Sequence, residues 1–164
     1  MSTEPSHPPE HRPKVTLVLL AYNQASIVGH AIQSCLDQTY HSLEIVLSDD
    51  ASSDGTWEII EGFANTYEGP HTIRTNRNEK NLGLAGHMNR LLEMASGTLI
   101  CGCAGDDICL PERVARMVDI WLTAPDTIKA ISTSYVQIAM DGTEMGTVSA
   151  TSRPRSPRRS STPS

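Results

Sequence analysis

Continuous apolar runs alternating with stretches of helical periodicity predict an α/β protein, a mainly parallel sheet with helices on both faces. Three observations carry that expectation. The runs Val15 to Leu20 and Leu43 to Leu47 show almost no polar alternation, the mark of strands buried on both sides. The segments between successive strands hold apolar residues at helical spacing. Strand and helix follow one another as βαβαβαβ, the order that parallel strands joined by helical crossovers require.

Taken in order, the first strand, Val15 to Leu20, runs into a turn over residues 21–25, after which Ile27, Val28, Ala31, Ile32, Cys35 and Leu36 recur with helical spacing. Ser26 is placed to cap that helix. Leu43 to Leu47 is the second strand, and Asp54 opens a helix whose apolar face is Trp57, Ile60, Ala64 and Tyr67, joined by Ile59 and Phe63. A short, less apolar strand is expected at His71 to Thr75. Leu84, Met88, Leu91, Leu92 and Ala95 form the next helical face, with Gly97 as its C-cap, and Thr98 to Cys103 is the fourth strand. Pro111 suits the first position of a helix that turns Val114, Met117, Val118, Trp121 and Leu122 inward. Lys129 to Ile138 reads as a further strand, and Asp141-Gly142 as a turn returning into a short strand through Val148.

The chain has 164 residues, 13 Lys+Arg against 19 Asp+Glu, and a net charge of -6. Four of the arginines, Arg153, Arg155, Arg158 and Arg159, lie in a Ser/Thr/Pro tail from Ala150 that contains no acid and no apolar period. That tail, residues 150–164, and a Pro-rich leader, residues 1–13, are expected to be disordered, leaving residues 14–149 as the domain. The tail has no aromatic to stack on a base and no apolar helical face, so neither nucleic acid nor lipid is an expected partner. No apolar run approaches the ~20 residues of a transmembrane segment, and the leader is not basic like a signal peptide. The expected setting is the cytoplasm, with any membrane association coming through partners.

Cys101, Cys103 and Cys109 crowd into one strand-and-turn segment at a spacing that does not match a zinc motif, and with Cys35 they read as buried reduced thiols. The six histidines are dispersed without a metal-binding spacing and read as surface or helix residues.

In a parallel sheet, ligands bind beyond the carboxyl ends of the strands. Two acid clusters fall there. Ser48-Asp49-Asp50-Ala51-Ser52-Ser53-Asp54-Gly55-Thr56 follows the second strand, where Asp54, the serines and Gly55 read as cap and turn residues, while Asp49 and Asp50 need a further reason. Gly105-Asp106-Asp107 follows the fourth, a pair of hard oxygen donors suited to magnesium or manganese. An anionic ligand would need such a cation beside so many acids. The turn after the first strand, Ala21-Tyr22-Asn23-Gln24, is no G-x-G-x-x-G, so the pyrophosphate cradle of a dinucleotide fold is missing.

The runs V-T-L-V-L-L-A-Y-N-Q from Val15, L-D-Q-T-Y from Leu36 and L-E-I-V-L-S-D-D-A-S-S-D-G-T from Leu43 resemble the amino-terminal half of glycosyltransferase family 2. The likeness continues through Asn81-Leu82-Gly83, Asn89, Ala95-Ser96-Gly97, Gly105-Asp106-Asp107 and Leu110-Pro111. It implies a GT-A fold, Rossmann-like and here incomplete at the C-terminus, that transfers a sugar with inversion from a nucleotide-diphosphate sugar to an acceptor the sequence does not specify, a glycan and a lipid-linked sugar being the candidates. By the same resemblance Ala21, Tyr22, Asp50, Asn81, Gly83 and Asp106 would bind the nucleotide, with Tyr22 beside the base and Asp50 on its edge. Asp107 would hold a divalent cation, manganese or magnesium. Ala104 stands where many members have a first aspartate, which removes one acidic contact. The family's general base lies downstream of the matched motifs, where this sequence has the Ser/Pro/Arg tail, so no catalytic residue is assigned. The abrupt change at Ala150 fits a truncated or frameshifted chain, and a non-catalytic remnant or half of a split enzyme is the alternative reading.

Overall fold

The computed structural model describes residues 12–125, 127–139 and 141–148. The leader through residue 11 and the tail from residue 150, both expected to be disordered, lie outside the described residues. The chain divides into two compact units, one ending at Thr123 and one beginning at Ala124.

The first unit holds β1 (Val15–Ala21), α1 (Val28–Leu36), β2 (Leu43–Asp49), α2 (Thr56–Thr66), β3 (Thr72–Arg77), α3 (Gly83–Met94), β4 (Leu99–Ala104) and α4 (Arg113–Thr123). The strands form one sheet in the order β3-β2-β1-β4. All three pairings are parallel, with Val15 opposite Leu43 and Leu99, and Glu44 opposite Thr72. The expected doubly covered parallel sheet is therefore what forms. The larger core lies on one face, where Leu17, Leu19, Ile45 and Leu47 meet Val28, Ile32 and Cys35 of α1, Ile60 of α2, and Val114 and Val118 of α4. On the other face Val18 and Val46 pack with Leu91, bordered by Leu20, Met88 and Met94. Such central strands are apolar on both sides because both faces lose their water.

Several expected details move. α1 has no side-chain cap at Ser26; its start is set by the Gln24 carbonyl, which accepts from the amides of Ile27 and Val28 at 3.0 and 2.9 Å. The cap position of α2 is Gly55, although Asp54 still accepts from Thr56 N at 3.0 Å. α4 begins at Arg113, two residues after Pro111, whose carbonyl accepts from Thr39 N at 3.0 Å and so ties this segment to the end of α1. The inward face of α3 is His87 and Leu91, while Leu84 and Leu92 are exposed, because the sheet's second face is narrow and admits one stripe of the helix.

Gly97 does not cap α3, which ends at Met94 with Ala95 beyond it. It passes so close to β1 that a Cβ there would lie 2.5 Å from Thr16 N and 2.7 Å from the Val15 carbonyl carbon. Gly97 N instead donates to Thr16 Oγ1 at 2.8 Å. Thr16 in turn donates to buried Glu44 Oε2, which also accepts from Ser96 N and Oγ, at 2.8, 3.1 and 2.7 Å. This polar knot locks the amino-terminal ends of the strands and leaves the carboxyl ends for a site.

The second unit contains a two-stranded antiparallel ribbon, β5 (Tyr135–Ile138) and β6 (Glu144–Val148). The turn at Asp141-Gly142 is as expected, with Gly142 at φ 84°, but the strand starts at Tyr135 rather than Lys129.

Candidate functional site

With the strand order β3-β2-β1-β4, the chain runs outward from β1 through β2 to β3 and then crosses back through α3 to β4 on the other side of β1, so the strand order reverses there and a crevice opens between the carboxyl ends of β1 and β4. A cleft of about 420 Å³ lies there, lined by Ala21 at the end of β1, Tyr22 and Gln24 after it, Asp50 after β2, Asn81, Gly83, Leu84, His87 and Met88 around the start of α3, and Cys103 and Ala104 of β4.

The acid-rich run after β2 separates into scaffold and site. Asp49 is fully buried; it accepts from Ser52 N at 3.0 Å and from Ser52 Oγ, and pairs with Arg77 Nε at 3.4 Å. Its charge is therefore spent on the fold. Asn23 N donates to Ser52 Oγ at 2.8 Å, Gln24 N to Thr56 Oγ1 at 2.8 Å and Ala25 N to Asp54 Oδ2 at 3.0 Å. Asn23 Oδ1 accepts from Ser53 N at 2.9 Å. The hydroxyls and Asp54 thus supply acceptors for the amides of the β1 turn, which would otherwise be left without partners. Among the described residues two non-glycines take left-handed backbone, Asn23 at φ 51° in the turn after β1 and Ala51 at φ 60° in the turn after β2. Such conformations persist where surrounding bonds enforce them, as here.

Asp50 is 3% exposed and stands at the cleft wall. Its amide donates to the Ala21 carbonyl at 2.9 Å, and its Oδ1 accepts from Asn78 Nδ2 at 2.8 Å and Leu82 N at 2.9 Å. One carboxylate oxygen thereby holds the approach to α3 in place. The next turn is closed by Asn81 Oδ1, which accepts from Gly83 N at 2.8 Å, with Gly83 at φ 69°, a conformation that glycine adopts without a Cβ penalty. Tyr22 is 47% exposed at the cleft mouth, its ring available to a planar group.

Five expected site residues, Ala21, Tyr22, Asp50, Asn81 and Gly83, come together as cleft lining. Asp106 and Asp107 do not line it. They sit on the turn that leaves Ala104, closed by Asp107 N donating to the Ala104 carbonyl at 3.1 Å, and both are exposed. Lost hydration and the adjacent Asp106 charge push the Asp107 carboxyl above its ordinary value. Two carboxylates held side by side in this way suit a hard divalent cation, which would relieve their repulsion.

Sequence reasoning missed His87, Met88 and Gln24. His87 is buried, lines the cleft and lies 2.6 Å from Ser48 Oγ through Nε2. Burial holds the imidazole below its ordinary pKa, against the pull of Asp50 and Asp49. The available signal was its spacing: His87 follows Gly83 by four residues and so shares its helical face.

Residues 16–159 match the model of glycosyl transferase family 2, and the chain belongs to that family. EpsE of Bacillus subtilis (strain 168) is 36% identical over 106 residues, covering 65% of this chain and 37% of the relative. The Escherichia coli UDP-Glc:alpha-D-GlcNAc-diphosphoundecaprenol beta-1,3-glucosyltransferase WfaP is 30% identical over 104 residues, covering 63% of this chain and 39% of the relative. Among solved structures, the mannosyltransferase PcManGT from Pyrobaculum calidifontis, in complex with GDP-Man and Mn2+, superposes with a TM-score of 0.66 at 27% identity, covering 76% of this chain and 36% of that one. The fold is thus the GT-A, Rossmann-like architecture. The chain spans about 37 to 51% of the length of the first three curated relatives it matches.

Proposed function

We propose that this chain is the donor-binding half of an inverting glycosyltransferase, which takes a nucleotide-diphosphate sugar into the cleft beside β1 and β4 with a divalent cation at Asp107. The observation that carries the reading is the convergence of Tyr22, Asp50, Asn81 and Gly83 on one cleft at the sheet's switch point, with the Asp106-Asp107 turn leaving the adjoining end of β4. In this reading Tyr22 stacks on the base and Asp50 accepts a ring N–H with the carboxylate oxygen not committed to Leu82 and Asn78. Ala21, Asn81 and Gly83 shape the wall with close backbone, and Asp106 serves the ribose and the metal-bound diphosphate. A manganese or magnesium ion held by Asp107 would neutralise the diphosphate as it leaves. Transfer also needs a base within hydrogen-bond reach of the acceptor hydroxyl, a contribution of ~100 to 10,000-fold. None of the cleft residues is assigned that task.

The names of the relatives suggest which donors to try first: UDP-glucose, from WfaP, and GDP-mannose, from PcManGT. Calorimetry with each, with and without manganese, tests the reading. Metal-enhanced binding of one donor is the expected result, and equal weak heats under both conditions would remove the metal role from Asp107. Donor binding with no sugar release to water or mixed acceptors would favour a chain that binds without transferring.

A further inference from the structure

Behind the acidic turn, in the larger core, three cysteines from three separate segments converge, and one of them, Cys103, also lines the cleft. Cys35 of α1, Cys103 of β4 and Cys109 beyond the turn place their sulfurs within 4.8 Å of one another, at exposures of 0, 4 and 6%. Cys103 and Cys109 are 3.4 Å apart, too far for a disulfide and close to the spacing of two sulfurs on one metal, which a Zn–S bond of ~2.3 Å sets at about 4 Å. Arg113 Nη1 lies 3.6 Å from Cys109 Sγ, so a guanidinium stands against a buried thiol. The same guanidinium donates through Nη2 to the Gly102 carbonyl at 3.1 Å, which holds its charge beside the sulfur. The backbone also holds the arrangement: Cys109 N donates to Ser34 Oγ at 3.0 Å, and Ser34 Oγ donates to the Ala31 carbonyl at 2.8 Å, fixing Cys109 to the helix that carries Cys35.

The geometry points to a soft-metal site in which Cys35, Cys103 and Cys109 bind one divalent thiophilic ion of the zinc type, separate from the hard cation site at Asp107. Binding replaces three S–H bonds by three metal–sulfur bonds and releases three protons to solvent, with no change of oxidation state. Three thiolates carry three negative charges, which the ion's two and the one on Arg113 balance, as a buried cluster requires. The Asp107 carbonyl, 3.9 Å from Cys103 Sγ, offers an oxygen for a fourth position. Because Cys103 and Cys109 flank the turn holding Asp106 and Asp107, an ion there would stiffen that turn from behind. The Cys-x5-Cys spacing hid the cluster in the sequence, since its third member comes from a distant helix.

The test is titration of the reduced full chain with cadmium(II), read by the ultraviolet charge-transfer absorption of cadmium thiolates, together with melting curves in zinc(II). One equivalent of cadmium with a thiolate band, and a raised Tm in zinc, is expected for wild type, for Cys101→Ser and for Asp107→Ala, so that failure of the donor-site reading leaves this result untouched. Cys35→Ser and Cys109→Ser, each checked for folding by circular dichroism, should bind about 100-fold more weakly or worse, beyond what losing a supporting partner does. Wild type without a band at one equivalent, binding unchanged in both variants, or a purified chain lighter by two hydrogens through a Cys103–Cys109 disulfide would each overturn the site.

Discussion

Ser48 Oγ and His87 Nε2 lie 2.6 Å apart, joining the end of β2 to the first turns of α3 beneath the cleft. The Ser48 hydroxyl also accepts from Asn76 Nδ2 at 2.9 Å, which leaves its own proton free to be donated to Nε2 of a neutral His87 ring. Burial favours the same neutral state.

The first prediction is a pH dependence centred on His87. Above pH ~6.5 the ring is neutral in both the folded and the unfolded chain. As pH falls through that value, the unfolded chain takes up a proton that the fold holds off until a lower pH, so stability falls. Melting temperature should drop on going from pH 7.5 to 5.5, and the drop should be smaller in His87→Gln. Equal drops in the two proteins would show that another group sets the acid limb.

A second pH effect, of opposite chemical type, belongs to Glu44. Burial alone would raise its pKa, but hydrogen bonds from Ser96, Thr16 and Arg74 outweigh this and hold it at about 2. An acid lowered in the fold contributes stability that is present above its unfolded value of ~4.3 and is lost as pH falls toward the folded one. Glu44→Gln should therefore cost roughly 2 kcal/mol at pH 7, with the difference from wild type shrinking as pH falls from 4.3 toward 2. Urea unfolding across that range measures it.

What could be read before the fold was known, and what could not, divides by how local the cause is. The strands β1 and β2 declared themselves because a central parallel strand must be apolar on both faces, and Asp50 stood out because nothing local explained it. Asp49 looked equally exceptional, yet it is occupied by Ser52, three residues on, and by Arg77, the latter a contact that only strand pairing creates. Gly97 carried a correct mark of necessity with the wrong reason: its constraint is the backbone of β1, more than 80 positions away in the chain. His87 was passed over because its helical spacing from Gly83 and Leu91 does not by itself tell a buried polar side chain from a surface one, and its partners, Ser48 and the cleft, are set by topology.

Gly97→Ala is the third prediction. The added methyl would meet backbone atoms of β1 rather than a side chain that can swing aside. Either β1 shifts from its register with β4 or the Gly97 N to Thr16 Oγ1 bond breaks, at a cost of about 1 to 3 kcal/mol. Gly62→Ala, in the middle of α2 with nothing within 4 Å of the new methyl, is the control and should be neutral or stabilising. A Gly97→Ala protein as stable as wild type would mean that the crossing of Gly97 and β1 has room for a methyl group.

The last prediction separates the two jobs of Asp50. Its carboxylate Oδ1 receives both Asn78 Nδ2 and Leu82 N, and the side chain stands at the cleft wall, so it both positions the start of α3 and faces the proposed base site. Asp50→Asn keeps one carbonyl oxygen that can go on accepting from Leu82 and Asn78, but it puts an NH₂ where an acceptor stood. Its melting temperature should stay close to that of wild type while nucleotide binding weakens by roughly tenfold or more, the scale of one lost hydrogen bond to a charged group. Asp50→Ala removes both functions, so it should lose stability as well as affinity, and its affinity loss should be the same with and without manganese. Asp107→Ala should show the reverse pattern, with unchanged stability, unchanged metal-free binding and no manganese enhancement. Calorimetry with UDP and GDP, beside melting curves for the three variants, distinguishes these profiles. If Asp50→Asn binds both nucleotides as wild type does, the acid belongs to the scaffold alone and the base edge must be read by another residue of the cleft.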